Sequence, residues 1–482
     1  MGAERWILAI DLGNGGPKVA VVDLSGELRS VAFRPVAVHI GLDGSATQDA
    51  DEWWTELIAA AREAVDASGL DSAGLHAIAI TGQWGSTVPV DAAGLPVGEV
   101  LLWADTRGRR YIGDVIGGPI SVQGYAPQRV IPWIRTTGGA PTPSGADPTG
   151  HSLVLQRDFA DVYARAAYLL EPVDYLGARF TGRIAATPAS MIASWVTDNR
   201  LHREPTYVER LVRWSRRDPA KLPPLIPTGS VLGTVLPEVA DLFGIPADVP
   251  VVCGTPDLLS AVVGSGAVEP FATHLTISTT AWIGARVPFK KTDILHSIAT
   301  VPGLDNDFPV VANNHETGGA ALRWLKEQVL PDQTYDELIA RAEAAPAGSE
   351  GVLFTPWLNG ERSPVDDKDV RAAFLNISLR TDQAAMVRAV MEGVAFNARW
   401  LFDYYEKFLG RRVPSVRIIG GGAQSDLWCQ LHAYALQRPV ERPADPRDAQ
   451  LKGVAAWARV CLGELSLAEA GRQAVVTDTF SP

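Results

Sequence analysis

The stretch AIDLGNGGPKVAVVD, Ala9–Asp23, runs an apolar strand into an aspartate, turns through small residues and leaves as a second apolar strand. Asn14, Gly15 and Gly16 read as the positive-φ residues a tight hairpin needs, so the plain reading is a β-hairpin with an acid at its bend. The sharper reading is a phosphate-facing hairpin with Asp11 beside a metal. The rest of the chain decides between them.

With 482 residues the chain exceeds the size at which single cores split, and two domains are expected, 1–245 and 246–482. Apolar residues make up 46% and charged residues 20%, the balance of a soluble globular enzyme. A formal net charge of -12 argues against nucleic acid or an anionic membrane as the main partner. Small anions stay open, because backbone amides can hold them regardless of overall charge. No apolar run reaches the roughly eighteen residues of a membrane span, and no charged-then-apolar leader precedes the strand that begins by Trp6. Cys253, Cys429 and Cys461 are far apart and odd in number, which fits free thiols in a reducing cytoplasm. The Asn376-Ile-Ser378 sequon is then accidental.

The first half reads as strand-rich α/β. Trp53, Leu57, Ala60 and Ala64 recur at helical spacing in DADEWWTELIAAAREAVDASG, and LHAIAITGQWG is a strand ending in a small-residue turn. Asp91 and Gly94 mark the turn of a hairpin between Ser86 and Gly108. Thr136–Ser152 is dominated by Gly, Pro, Ser and Thr and reads as an exposed loop, and 158–182 reads as helical. The proline-rich passage 221–250 reads as the connector between halves. The second half repeats the grammar: ATHLTISTTAWIGARV mirrors the opening hairpin, which suggests a structural duplication. The clearest helix follows Thr381, a natural N-cap, and ends before Gly410.

Besides the opening hairpin, two places could carry chemistry. IIGGGAQSDLW admits a dinucleotide fingerprint on Gly420, Gly422 and Ser425 with Glu441 downstream, a glycine-lined floor for a nucleotide, or a simple tight turn. The fingerprint is imperfect, and too little chain follows Glu441 for the rest of such a sheet. Asp257 follows the cramped VVCGTP and precedes an apolar helix, where a carboxylate can cap the helix or act as a general base. No P-loop, paired zinc-ligand spacing or nucleophile elbow occurs.

These motifs and their order resemble the FGGY family of carbohydrate kinases, most closely its xylulose kinases, over nearly the whole length. The resemblance rests on AIDLGNGGPKVAVVD, ITGQWG, LLWADTRG, CGTPDLLSAVVGSG, TISTTAWIGARV, PWLNGERSP, AVMEGVAFNARWL and RIIGGGAQSDLWCQLHAYALQRPVERP. It implies a two-domain actin-like ATPase (ribonuclease H-like) α/β fold with ATP and a sugar meeting in the cleft. It implies Asp11 as the magnesium-holding acid, and Gly13, Asn14 and Lys18 facing the phosphates. Asp257 takes the general-base position, and Ser278, Thr279 and Thr280 form the second phosphate loop. Gly319, Gly421, Gly422 and Asp426 fall in the nucleotide pocket, and Gln83, Trp84, Trp103, Asp105 and Arg107, with Asp257, on the sugar side. A plain alternative for Asp105 and Arg107 is a surface ion pair beside a buried Trp103. The resemblance also leaves room for a homodimer.

Three departures bear on function. Asn14-Gly15 replaces a Thr-Ser pair, Trp84-Gly85-Ser86 replaces Met-His-Gly, and QLKGVAA near Ala449 replaces ALGAA. The expected activity is ATP-dependent phosphorylation of a small sugar, with a ketopentose such as D-xylulose first and another ketose, a polyol or a sugar acid beside it. A weakly active or inactive sugar- or nucleotide-binding protein is the reading of a different class, and a nicotinamide-dependent oxidoreductase the third.

Overall fold

Apolar residues fill both faces of the opening strands, the pattern of strands covered on two sides. In the computed structural model, which describes residues 4–122 and 124–482, they lie at the centre of a seven-stranded sheet. Its members are β1 (Trp6–Gly13), β2 (Gly16–Asp23), β3 (Leu28–Phe33), β4 (Leu75–Gly82), β5 (Val231–Thr234), β6 (Pro250–Val252) and β7 (Thr255–Pro256). The order is β5-β6-β4-β1-β2-β3, with β7 also on β4. β1 runs antiparallel to β2 and parallel to β4, so Asp11 lies between Lys18 on one side and Thr81 on the other.

A second sheet joins β8 (Thr273–Ile277), β9 (Ala281–Ala285), β10 (Val416–Ile419), β11 (Val440–Pro443) and β12 (Val476–Phe480) in the order β9-β8-β10-β11-β12. β8 pairs antiparallel with β9 and parallel with β10, β10 parallel with β11, and β11 antiparallel with β12. The first sheet has the same sequence of pairings along β2-β1-β4-β6-β5. The duplication expected from the two hairpins is therefore one of topology.

Five helices matter for the site: α1 (Ala50–Ser68), α2 (Asp257–Gly264), α3 (Gln383–Leu409), α4 (Asp426–Leu436) and α5 (Ala449–Cys461). Trp53, Leu57, Ala60 and Ala64 of α1 enter the first core as their spacing predicts. α5 comes from the end of the chain, yet its Leu451, Val454, Ala455 and Ala458 pack on Ile7, Ala9, Ala77 and Ala79 of the first sheet. It crosses α2 at glycines: a Cβ on Gly264 would lie 1.8 Å from the Ala449 carbonyl oxygen, and one on Gly453 would lie 2.1 Å from that of Ser260. No helix among the described residues is long and apolar enough to cross a membrane.

Several expectations are corrected. The boundary at 245/246 falls inside the first sheet, which continues to Pro256. The proline-rich passage is no connector: it supplies β5 and the helix Pro237–Phe243, its prolines standing at the helix start and strand edges where no N–H is required. Thr136 and Thr137 end the helix Pro127–Thr137, and Pro148–Asp158 is a helix whose first two turns are buried. Asp147 caps it by accepting from the Thr149 and Gly150 amides, with Pro148 at its first position. Composition alone hid that start signal. Residues 158–182 are split by a strand, Tyr168–Leu170, which pairs with Val88–Val90 of the expected hairpin. The N-cap of α3 is Asp382, whose carboxylate accepts from Ala385, one residue past Thr381.

Candidate active site

Parallel strands present their carboxyl ends together, and ligands of open α/β sheets bind there. Three neighbouring strands, β1, β4 and β7, end side by side. β1 carries Asp11, β4 leads into Gln83-Trp84-Gly85-Ser86, and β7 leads into Asp257, the first residue of α2. Thr81 is the cross-strand neighbour of Asp11 on one side and of Thr255 on the other. With strands about 4.8 Å apart, Asp11 and Asp257 flank one narrow floor.

The electrostatics follow from that placement. Burial raises the Asp11 carboxyl, Lys18 pulls it back down, and Asp448 pushes it up again. Burial also pushes Asp257 up to about 7, and the negative charge of Asp11 adds to the rise. The Leu258 amide and a hydrogen bond from the Trp84 side chain oppose it. Two carboxylates with such different partners can take separate duties, one beside the Lys18 ammonium and one exchanging a proton near neutrality.

The hairpin bend departs from expectation in detail. Only Gly16 has a positive φ, 128°; Asn14 and Gly15 do not. A Cβ on Gly16 would lie 2.1 Å from the Arg34 carbonyl oxygen, so glycine is required by the close return of the chain after β3. Gln48 donates to the Asn14 carbonyl at 3.0 Å, and Val36 to that of Gly15 at 3.0 Å, which anchor the bend from behind. Asn14 and Gly15 face outward, and Gly13 is half-buried next to them. The Lys18 ammonium meets Asp448 Oδ1 at 2.8 Å, an ion pair from the first hairpin to the residue before α5.

The second bend, Ser278-Thr279-Thr280, joins β8 to β9. Gly318 and Ala320 donate to the Thr279 carbonyl, and Gly319 to that of Ser278, so the HETGG turn buttresses this loop. A Cβ on Gly319 would lie 2.6 Å from the Ser278 carbonyl oxygen. After β10, a Cβ on Gly420 or Gly422 would collide with Ile277, but one on Gly421 would meet nothing within 4 Å. Gly421 is thus the open member of the run. Asp426 opens α4 exposed and paired with Arg442 at 2.7 Å. Arg417 holds Glu441 at 2.9 Å, which takes that carboxylate away from the ribose role of a dinucleotide fingerprint.

On the other side of the floor, Gln83 is buried with its amide nitrogen unpartnered among the described residues. Trp84 packs against Leu258, Ile192 and Trp282. Trp103 is half-buried, and its amide donates to Ser86 Oγ at 3.0 Å. Asp105 and Arg107 form a bidentate pair that is internal, not superficial: Asp105 is 0% exposed and also accepts from the Ala46 amide. That pair frames the Trp103 turn from behind.

Two participants escaped the sequence reading. Asp448 reaches Lys18, and its only sequence signal is its position just before the altered QLKGVAA run. Glu171 accepts from the Gly85 amide at 2.8 Å, and nothing in its surroundings in the chain announces it. Among the described residues no group of three or more acidic, histidine or cysteine side chains could enclose a metal. A single carboxylate such as Asp11 suits magnesium, which keeps several waters and binds largely through substrate phosphates.

Known proteins give this chain a family and a fold. The model for the FGGY family of carbohydrate kinases, N-terminal domain, matches residues 6–123 and 150–264, and that for the C-terminal domain matches 290–461. A xylulose kinase of Staphylococcus epidermidis is 25% identical over 455 residues, 91% of this chain and 84% of its own. A ligand-bound xylulose kinase from Lactobacillus acidophilus superposes with a TM-score of 0.85 at 22% identity, over 99% of this chain and 94% of that one. A gluconate kinase from the same organism gives 0.85 at 21%, over 100% and 94%.

Proposed function

The chain belongs to the FGGY family of carbohydrate kinases, ATP-dependent phosphotransferases with an alcohol acceptor, and from that premise we propose how its own residues divide the work. Asp257 is the general base, taking the proton from the sugar hydroxyl as that oxygen attacks the terminal phosphoryl group in line. Asp11 would hold magnesium, which when bound would supply positive charge against the phosphates. The amides of Gly13, Asn14 and Gly15 and the hydroxyls of Ser278, Thr279 and Thr280 cradle the phosphate oxygens, with Lys18 beside them. Gly319, Gly421, Gly422 and Asp426 line the nucleotide side. Gln83, Trp84 and Trp103 face the acceptor, with Asp105 and Arg107 holding the Trp103 turn. The first-choice acceptor is a ketopentose such as D-xylulose.

The observation that carries this reading is Asp257 at the start of α2, facing Asp11 across one strand and pushed up to about 7 by burial and by that neighbour. A carboxylate that titrates near neutrality is matched to accepting a proton at physiological pH. Xylulose, glycerol and gluconate kinases all stand near this chain, so the acceptor is read by assay. ADP release is measured with a panel of ketoses, polyols and aldonic acids, on the parent and on Asp257→Asn. Sugar-stimulated release by the parent and its collapse in the variant are expected. Full turnover in the variant would remove Asp257 from the base role.

A further inference from the structure

Gly85 turns with a φ of 81°, and a Cβ built there would lie 3.4 Å from Ala193 and 3.6 Å from the Trp103 side chain. Gly85 and Ser86 are buried, so their amides need partners within the protein. Glu171 fills that need. Its Oε2 accepts from the Gly85 amide at 2.8 Å, and the Ser86 amide also donates to this carboxylate. Glu171 is 2% exposed and 86 residues away in the chain. Its other oxygen has no partner among the described residues, nor do Nε and Nη1 of Arg217, which lines the same small internal cavity. A buried carboxylate is costly unless paired and hydrogen-bonded, so its presence beside Leu169, Leu170 and Met191, with Ser86, Thr87, Ser194 and Arg217 as the polar neighbours, calls for a reason.

That reason lies on the other face of the loop. Trp84, next to Gly85, is close enough to Asp257 to lower its carboxyl and packs against the apolar cluster that contains Leu258. Ser86 donates to Gln83 Oε1 at 3.3 Å and accepts from the Trp103 amide at 3.0 Å. One carboxylate behind the loop thereby sets three side chains in front of it. We propose that Glu171, backed by Arg217, is a positioning residue that fixes the Gln83–Ser86 loop and through Trp84 selects the acceptor. This rests on the reading that the loop faces the acceptor.

The test compares Glu171→Gln, which keeps an accepting oxygen for the Gly85 amide, with Glu171→Leu, which removes it, each also in a Trp84→Phe background. Glu171→Leu is expected to raise KM for the acceptor by about tenfold while leaving KM for ATP unchanged, since small misplacements at such a wall are costly. Glu171→Gln stays near the parent. In the Trp84→Phe background the effect of Glu171→Leu shrinks, because the two act through one loop. Protein labelled with 5-fluorotryptophan gives a readout independent of turnover: the Trp84 resonance, assigned by its loss in Trp84→Phe, shifts or broadens in Glu171→Leu and not in Glu171→Gln. Should the leucine variant fail to fold, Glu171→Asp, shorter by one methylene, moves the same readouts in the same direction. An unmoved Trp84 resonance, or equal rises in both KM values, overturns the proposal. Absence of any acceptor-dependent turnover in the parent would refute the kinase assignment instead, and the resonance would still decide the clamp.

Discussion

The Thr81 hydroxyl donates to the Ser260 hydroxyl at 2.9 Å, and Ser260 donates in turn to the carbonyl oxygen of Asp257 at 2.9 Å. Thr81 is also the cross-strand neighbour of Asp11. A two-hydroxyl chain therefore ties the strand beside one carboxylate to the helix turn that carries the other. Thr81→Val keeps the shape and removes the donor. It is expected to lower stability by about 1 kcal/mol and to reduce kcat several-fold with KM for ATP unchanged. Urea denaturation and steady-state kinetics check the two effects.

Asp257 makes both stability and activity depend on pH, with opposite signs. In the unfolded chain its carboxyl titrates near the ordinary 3.8, whereas in the folded chain it titrates at about 7. Between those values the folded chain binds the extra proton, so the contribution of this group to stability falls as pH rises and is fully lost above about 7. Asp257→Asn should therefore raise the melting temperature of the ligand-free protein more at pH 8 than at pH 5. Activity runs the other way, because only the ionised carboxylate accepts a proton. The acceptor kcat/KM of the parent should climb through a pKa near 7, and the Asn variant should be lower by about a hundredfold or more without that limb.

The first hairpin offers a gain-of-function test. Gly15 does not use a positive φ, and a Cβ there would meet only Phe33 at 3.8 Å, an ordinary contact. Gly15→Ser, alone or with Asn14→Thr, should fold like the parent and place hydroxyl donors where phosphate oxygens pass. The expected outcome is a rise in kcat, or a fall in KM for ATP, of about three- to tenfold, the scale of one added hydrogen bond worth about 1 kcal/mol. Unchanged kinetics in a stable double variant would mean that the bend does not touch phosphate.

The parts of the site legible in the sequence are those whose signal is local. A strand that ends in an acid and small residues singles out Asp11, and a cramped strand before an apolar helix singles out Asp257. Each pattern equally fits a plain hairpin or a helix cap, and the roles proposed for them come from the family resemblance. The helix Pro148–Asp158 was hidden because its Gly, Pro, Ser and Thr content outweighed the Asp147-Pro148 start signal. The Lys18–Asp448 pair and the Glu171–Gly85 bond join residues 430 and 86 positions apart, and no periodicity or spacing connects them. Asp105 and Arg107 pair within one turn, but whether such a pair is buried or superficial depends on what folds over it.

The crossing of α2 and α5 couples the helix that opens with Asp257 to the far end of the chain. A Cβ on Gly453 would lie 2.1 Å from the Ser260 carbonyl oxygen and 2.6 Å from the Gly264 amide nitrogen, both backbone atoms that cannot yield like a side chain. Gly453→Ala should push the helices apart, with a destabilisation of about 2 kcal/mol or more and a loss of kcat. Gly463→Ala is the comparison, since nothing lies within 4 Å of a Cβ there and only its φ of 75° is strained. A milder loss in Gly463→Ala, with kcat kept, separates crowding at the crossing from general backbone strain.

Lys18 is held between two claims. Its ammonium sits 2.8 Å from Asp448, both side chains are about one-fifth exposed, and it is also the cation that lowers the Asp11 carboxyl. A nucleotide whose phosphates lie against the first hairpin must compete with Asp448 for that charge. Asp448→Asn leaves a hydrogen-bond acceptor of the same shape and removes the competing charge. KM for ATP should fall by about threefold to tenfold at low salt, and the gain should shrink as salt screens the pair in the parent. Asp448 also raises the Asp11 carboxyl, so the same variant should keep Asp11 ionised to lower pH. A rise in KM for ATP would show instead that Asp448 holds Lys18 in its working place. Titration of ATP affinity against salt for parent and variant distinguishes the two outcomes.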